Sequence, residues 1–175
     1  MSTAPTTGRY TVAIGADNAG ADLKNQLKAQ LEQDPRVAGV RDFGVPDAAD
    51  ATAYPLVGFD VAQAVARGDA ERGLLVCGTG IGMAITANKV AGIRATVAHD
   101  SYSVERSVLS NDCQVLTLGA RVIGPELAKR LVDEWLAYRF DPGSASAAKV
   151  AIISDFEGQP AAAPASLAEP ASADR

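Results

Sequence analysis

A thiol, three glycines and a helix start share one short stretch, Val76-Cys77-Gly78-Thr79-Gly80-Ile81-Gly82-Met83. Cys77 ends an apolar, strand-like run, and residues 83–89 read as a helix. In a strand–glycine loop–helix unit, loop N–H groups and the helix start converge on one spot that suits an anion or an oxyanion. The same spot favours a thiolate over a thiol. A base or nucleophile beside preformed anion donors is a catalytic arrangement, so this stretch points to an enzyme.

The elements around it tell where it sits. Apolar runs at residues 10–15, 39–43, 73–77, 93–98 and 114–119 read as strands. Helical spacing marks residues 21–33 (Leu23, Leu27, Leu31), 54 to about 67, 101 to about 109, 125–138 and 147–156. Five strands alternating with helices predict a single-domain α/β fold, a doubly wound, Rossmann-like parallel sheet with helices on both faces. Such sheets bind ligands beyond the carboxyl ends of their strands. Asp17-Asn18, Cys77-Gly78-Thr79 and His99-Asp100 each follow a strand, so topology alone puts them on one rim.

A chain of 175 residues with 47% hydrophobic content has enough apolar mass for one domain. Residues 1–9 read as a flexible N-terminus, residues 10–157 as the domain, and residues 158–175 as a disordered Ala/Pro-rich tail. A net charge of −5 argues against nucleic acid or an anionic membrane as a bulk partner. No apolar run approaches the roughly 18 residues of a membrane span. With only Cys77 and Cys113 there is no disulfide framework, and the expected location is the cytoplasm.

Each candidate also has an ordinary structural reading. Gly78, Gly80 and Gly82 do not have the dinucleotide-binding spacing, and Gly15 to Gly20 lack the Lys-Ser/Thr of a phosphate loop. Asp17 is either a cap for the first helix or a catalytic group. His99, the single histidine, is either structural or part of the rim site. Cys113 reads as a small buried hydrophobe. No His/Cys/Asp spacing resembles a metal site, so neither a metal nor a cofactor is expected.

Several blocks together resemble a known family. Gly15-Ala16-Asp17-x-Ala19-Gly20, Asp42-Phe43-Gly44, Tyr54-Pro55, Cys77-Gly78-Thr79-Gly80-Ile81-Gly82, Ala87-Asn88-Lys89 and Gly119-Ala120-Arg121-Val122-Ile123-Gly124 occur in the order seen in type B ribose-5-phosphate and galactose-6-phosphate isomerases. The resemblance implies a cofactor-free aldose–ketose isomerase that moves a proton through an enediolate. It casts Cys77 as the base, Thr79 as the group assisting transfer between the two oxygens, and Asp17 as a nearby catalytic group. The N–H groups of Gly78, Gly80, Ile81 and Gly82 would hold the oxyanion. Asn88 would bind a substrate oxygen or brace the loop, and Asn18, Tyr54, Ser110 and Asn111 would line the substrate site. The family also implies a homodimer or homotetramer with shared active sites.

The departures are informative. Family members acting on ribose 5-phosphate carry histidines where this chain has Asn18 and Ser110, and the basic C-terminal segment is reduced to Lys149. Lys149 and Arg121 are the remaining phosphate-binding candidates. A closed furanose needs an acid/base group to open it, whereas a tetrose 4-phosphate cannot close one, because its O4 carries the phosphate. The segment from His99 to Asn111 is similar to the D-erythrulose-4-phosphate isomerase branch. The expected substrate pair is therefore D-erythrulose 4-phosphate and D-erythrose 4-phosphate, with His99 binding substrate or shuttling a proton. The alternatives are a ribose 5-phosphate or galactose 6-phosphate isomerase, or a non-catalytic sugar-phosphate-binding subunit.

Overall fold

Strand β3 (Arg72–Cys77) is buried along its whole length, which requires helices on both faces of its sheet. The computed structural model describes residues 9–158 and supplies them. The flexible segments expected before residue 9 and after residue 158 lie outside the described residues. Strands β1 (Tyr10–Ala16), β2 (Val37–Asp42), β3, β4 (Ala95–Val97) and β5 (Val115–Gly119) form one parallel sheet in the order β2-β1-β3-β5-β4. Helices α1 (Ala21–Gln33), α4 (Ser101–Leu109) and α5 (Pro125–Ala137) pack on one face through Leu27, Val104, Leu131 and Trp135. Helices α2 (Tyr54–Ala66) and α3 (Ile81–Ala87) cover the other through Val57, Val61, Met83 and Ala87. The doubly wound α/β expectation holds.

The topology places the ligand crevice. β1 and β3 are neighbours, yet the chain leaves β1 for α1 on one face and β3 for α3 on the other. Where successive crossovers diverge in this way, a cleft opens at the carboxyl edge of the sheet. Asp17 and Cys77 stand on its two sides.

Boundaries differ from expectation in instructive places. Helix α3 starts at Ile81 rather than Met83, because Gly80, at φ 80°, turns the chain directly into the helix. Edge strand β4 is three residues long rather than six. Ile93 N–H turns back to Val90 O, and Arg94 N–H goes to the Gln114 side chain, so neither joins the ladder. Helix α6 (Ala147–Glu157) buries only Val150 and leaves Ile152, Ile153 and Phe156 exposed.

Two buried cations hold the frame. Lys24 is 1% exposed and pairs with Asp42 at 2.8 Å, tying α1 to β2. Burial pushes the Asp42 carboxyl up, but its bonds to Lys24, the Gly44 N–H and Lys28 bring it below the usual value. Arg72 lies between the Tyr10 and Trp135 rings and donates to the carbonyls of Trp135 and Tyr138, where the α5 dipole ends negative. Burial lowers its pKa to about 10, still far above neutrality.

Candidate active site

The loop after β3 is built around the sulfur of Cys77. The thiol is buried, and the Gly80 N–H donates to Sγ at 3.1 Å. That amide reaches the sulfur because Gly80 adopts a left-handed conformation, which folds the loop back over Cys77. The Gly80 carbonyl in turn accepts from the Thr117 hydroxyl of β5 at 2.9 Å. Beside it, the Ile81 N–H approaches the Thr79 hydroxyl at 3.4 Å.

The end of β5 supports this loop from below. Ala120 N–H donates to the Cys77 carbonyl at 2.8 Å, and Arg121 N–H to the Gly78 carbonyl at 3.0 Å. At Gly119 the two backbones nearly touch: a Cβ there would lie 2.7 Å from the Thr79 Cα and carbonyl carbon. The Arg121 side chain runs over Gly78, its Nε and one terminal nitrogen 3.6 Å from where a Cβ would stand. Across the loop the Tyr54 ring lies on Gly82, with a virtual Cβ 2.7 Å from the ring. A cation, a phenol, a hydroxyl and a thiol therefore surround one Gly-rich turn. Such a constellation can hold an anionic group and move a proton beside it.

Asp17 and Asn18 occupy the facing edge. Gly20 packs against the Val76 carbonyl, which brings the β1–α1 loop against the peptide that joins Val76 to Cys77. The Asp17 carboxylate accepts from the N–H groups of Ala19 and Gly20 at 3.1 Å each, an Asx-type turn in the loop before α1, whose N-cap position is Gly20 with no side-chain cap. Asp17 therefore shapes the loop and does not itself cap the first helix. Asn18 is exposed at the tip.

His99 is on the same rim, but its Nε2 is occupied: it accepts the Gly119 N–H at 2.8 Å. Burial lowers its pKa, opposed by the Asp100 charge.

Four predicted residues lie away from Cys77 within the chain. Helices α3 and α4 run from the carboxyl rim to the amino rim, and Asn88, Ser110 and Asn111 lie at their far ends. Asn88 pairs with both backbone groups of Ala95 at 2.8 Å and also donates to Ala84 O, so its amide braces β4. What Asn88 braces is β4 and the end of α3, not the glycine loop. Ser110 accepts from Arg106 at 3.2 Å, and Asn111 donates to the Arg106 carbonyl, closing the end of α4. Lys149 projects from the exposed helix α6. A groove of about 510 Å³ runs beside β4, lined by Asn88, Arg94, Arg106, Asn111, Cys113 and Ile153 among others, and does not reach Cys77.

Thr117 and Gly119 are the functional neighbours that sequence reading passes over. Thr117 is hidden inside an ordinary strand run. Gly119 shows in the sequence as a strand-end glycine opening one of the family blocks, with no role attached to it. Cys113 is partly buried rather than fully so, at the edge of the β4 groove, and burial raises its thiol to about 11, with Arg94 only partly opposing. Among the described residues, no group of three or more His, Cys, Asp or Glu side chains could hold a metal ion.

Comparison with known proteins agrees with this geometry. Residues 12–153 match the family model described as Ribose/Galactose Isomerase. D-erythrulose-4-phosphate isomerase 2 of Mycolicibacterium smegmatis is 59% identical over 147 residues, covering 84% of this chain and 97% of that protein. D-erythrulose-4-phosphate isomerase of Pectobacterium atrosepticum is 48% identical, covering 85% and 96%. The solved structure of Clostridium thermocellum ribose-5-phosphate isomerase B superposes with a TM-score of 0.79 at 41% identity, covering 84% of this chain and 97% of that one. The chain belongs to the ribose/galactose isomerase family of sugar-phosphate isomerases.

Proposed function

We propose that this enzyme interconverts D-erythrulose 4-phosphate and D-erythrose 4-phosphate. The observation that carries the proposal is the pair of relatives at 59% and 48% identity, both named for D-erythrulose 4-phosphate. The chemistry of positions 18 and 110 agrees: both replace histidines of the ribose 5-phosphate members, and the one replaced by Ser110 is a ring-opening group that an open-chain tetrose phosphate does not need.

In the ketose-to-aldose direction the Cys77 thiolate takes a proton from C1, next to the C2 carbonyl. The electron pair left behind forms the C1–C2 double bond, and the carbonyl oxygen becomes the enediolate oxyanion. The Gly80 N–H is directed at the sulfur, which leaves the Gly82 amide for the oxyanion, joined by the Ile81 amide once it gives up its long 3.4 Å contact to the Thr79 hydroxyl. Each such donor is worth about 2.7–4 kcal/mol in well-studied sites. The Thr79 hydroxyl moves the proton between O1 and O2, and Cys77 returns its proton to C2 to give the aldose. Arg121 binds the phosphate over Gly78, and Tyr54 closes the side of the site at Gly82.

A second copy of the chain completes the site in this proposal. Ser110, Asn111 and Lys149 are too far round the fold to serve their own Cys77, and α6 carries exposed Ile152, Ile153 and Phe156. A homodimer, or a homotetramer built as a dimer of dimers, brings these residues to the neighbouring thiol. Light scattering during gel filtration should give at least twice the 18.0 kDa chain mass; a monomer overturns the shared-site reading. The proposed location is the cytoplasm, in keeping with two free thiols and metabolic relatives.

The deciding experiment compares D-erythrulose 4-phosphate with D-ribulose 5-phosphate and D-ribose 5-phosphate side by side. A kcat/KM at least ten-fold higher for the tetrose is expected. Equal turnover or a pentose preference overturns the assignment and favours the ribose-5-phosphate alternative.

A further inference from the structure

The single histidine stands on the active rim, and one of its two ring nitrogens is already bonded to the backbone. His99 Nε2 accepts the Gly119 N–H at 2.8 Å, so the ring is neutral and its proton is on Nδ1. The bond extends the sheet where its backbone ladder fails. After Val97 the strand pairing dwindles to a 3.4 Å contact from Ala98 N–H to Thr117 O, and the imidazole substitutes for the next rung.

What Gly119 touches makes this rung consequential. Gly119 is the register partner of Cys77 across β3 and β5, and its Cα abuts the Thr79 backbone. The next two residues donate their N–H groups to the Cys77 and Gly78 carbonyls, and the second of them is Arg121. One imidazole nitrogen thus fixes the backbone that supports Thr79 and launches Arg121.

We propose that His99 is a positioning residue: as a neutral imidazole it anchors the Gly119 amide, and through it sets Thr79 and Arg121 for the isomerase reaction. The role of those two groups rests on the function proposed above. An imidazolium has no acceptor at Nε2 and would oppose the amide N–H, so protonation releases the anchor. Desolvation by burial disfavours that protonation. The titratable or charged groups around this bond are Asp100 on the same segment, which favours the cation, Cys77, the register partner of Gly119 on β3, and Arg121, two residues beyond the end of β5. Activity is therefore expected to need the neutral ring and to fall as pH drops below the ordinary histidine value of about 6.5.

Two variants and one spectrum test this. In His99→Gln, the side-chain oxygen can reach the Nε2 position and accept the same N–H without titrating. In His99→Leu, nothing accepts it. Expected are kcat within about three-fold of wild type for His99→Gln and a loss of roughly ten-fold or more for His99→Leu, the scale of a lost supporting contact. The fall in kcat at acid pH should also be shallower in His99→Gln than in wild type. The substrate phosphate titrates identically with both enzymes, so only the difference is read. Equal losses in the two variants, or identical acid limbs, overturn the proposal. Independently of any substrate, ¹⁵N NMR of wild-type protein should show an unprotonated Nε2 and a Gly119 amide signal that shifts with the imidazole titration. A protonated Nε2 at neutral pH, or a Gly119 signal indifferent to pH, overturns it even if the sugar has been misassigned. If the spectrum agrees but no tetrose turns over, the anchor stands and the substrate assignment fails.

Discussion

Gly119→Ala offers the sharpest perturbation of the loop that carries Cys77. The added methyl would lie 2.7 Å from the Thr79 Cα and carbonyl carbon and 2.8 Å from its oxygen. Ordinary carbon contacts begin near 3.4 Å, so the two backbones must separate by about 0.7 Å. All three atoms are main chain, and no side-chain rotamer can yield. The loop cannot move freely either, because Ala120 N–H, Arg121 N–H and the Thr117 hydroxyl clamp it from the same side. Overpacking of this kind costs about 1–3 kcal/mol. In a chain of this size that lowers Tm by a few degrees, at roughly 2–4 °C per kcal/mol. Activity should suffer more than stability. A shift approaching 1 Å in positioned groups costs on the order of 100-fold, and loss of alignment of one oxyanion donor costs about 10²–10³-fold. Steady-state kcat with D-erythrulose 4-phosphate, measured beside a thermal melt, reads both effects. Gly39→Ala is the control, since its Cβ meets nothing within 4 Å and should leave both quantities unchanged. A Gly119→Ala enzyme with wild-type kcat would refute the claim that β5 sets the loop.

Other consequences can be checked directly. Thr117→Val keeps the shape of the side chain but strands the Gly80 carbonyl; it should destabilise by about 1–3 kcal/mol in urea titration and reduce kcat, whereas an unchanged midpoint would show that this bond contributes nothing. Asp42→Ala should cost about 3–5 kcal/mol because it leaves Lys24 buried and deprived of its counter-charge, while Lys24→Met should cost much less, since Asp42 keeps Lys28 and the Gly44 N–H. Equal costs in urea denaturation would contradict this. Iodoacetamide mapping at pH 7.5 should leave Cys113 almost untouched, because a thiol pushed up to about 11 is thiolate in only about one molecule in a few thousand; rapid Cys113 labelling in folded protein would contradict it.

The doubly wound sheet was legible because five apolar strand runs alternate with helical segments, the pattern of a parallel α/β sheet. The rim location of Cys77, Asp17 and His99 followed from topology alone. What the sequence hid were interactions made by backbone groups across strands. Nothing in Gln114-Val115-Leu116-Thr117-Leu118-Gly119 announces that the Thr117 hydroxyl holds Gly80 or that Gly119 abuts Thr79. Periodicity likewise carried β4 through Ile93 and Arg94, where the amide of Ile93 closes a turn and that of Arg94 is taken by Gln114. Spacing also could not reveal that the polar groups of Asn88 are spent on Ala84 and Ala95, nor that the one free-looking histidine is already bonded to a main-chain N–H. Motif order put Ser110 and Asn111 in the site, but the direction of α4 takes them to the other end of the sheet.

The central claim is that Cys77 removes the carbon-bound proton of an open-chain sugar phosphate. It is tested most directly by isomerisation of D-erythrulose 4-phosphate with wild-type and Cys77→Ala enzymes, after gel filtration and a thermal melt show that both are folded alike. Loss of a positioned general base costs about 10²–10⁴-fold, so kcat should fall by at least 100-fold. A folded Cys77→Ala enzyme that keeps kcat within ten-fold of wild type would contradict the account.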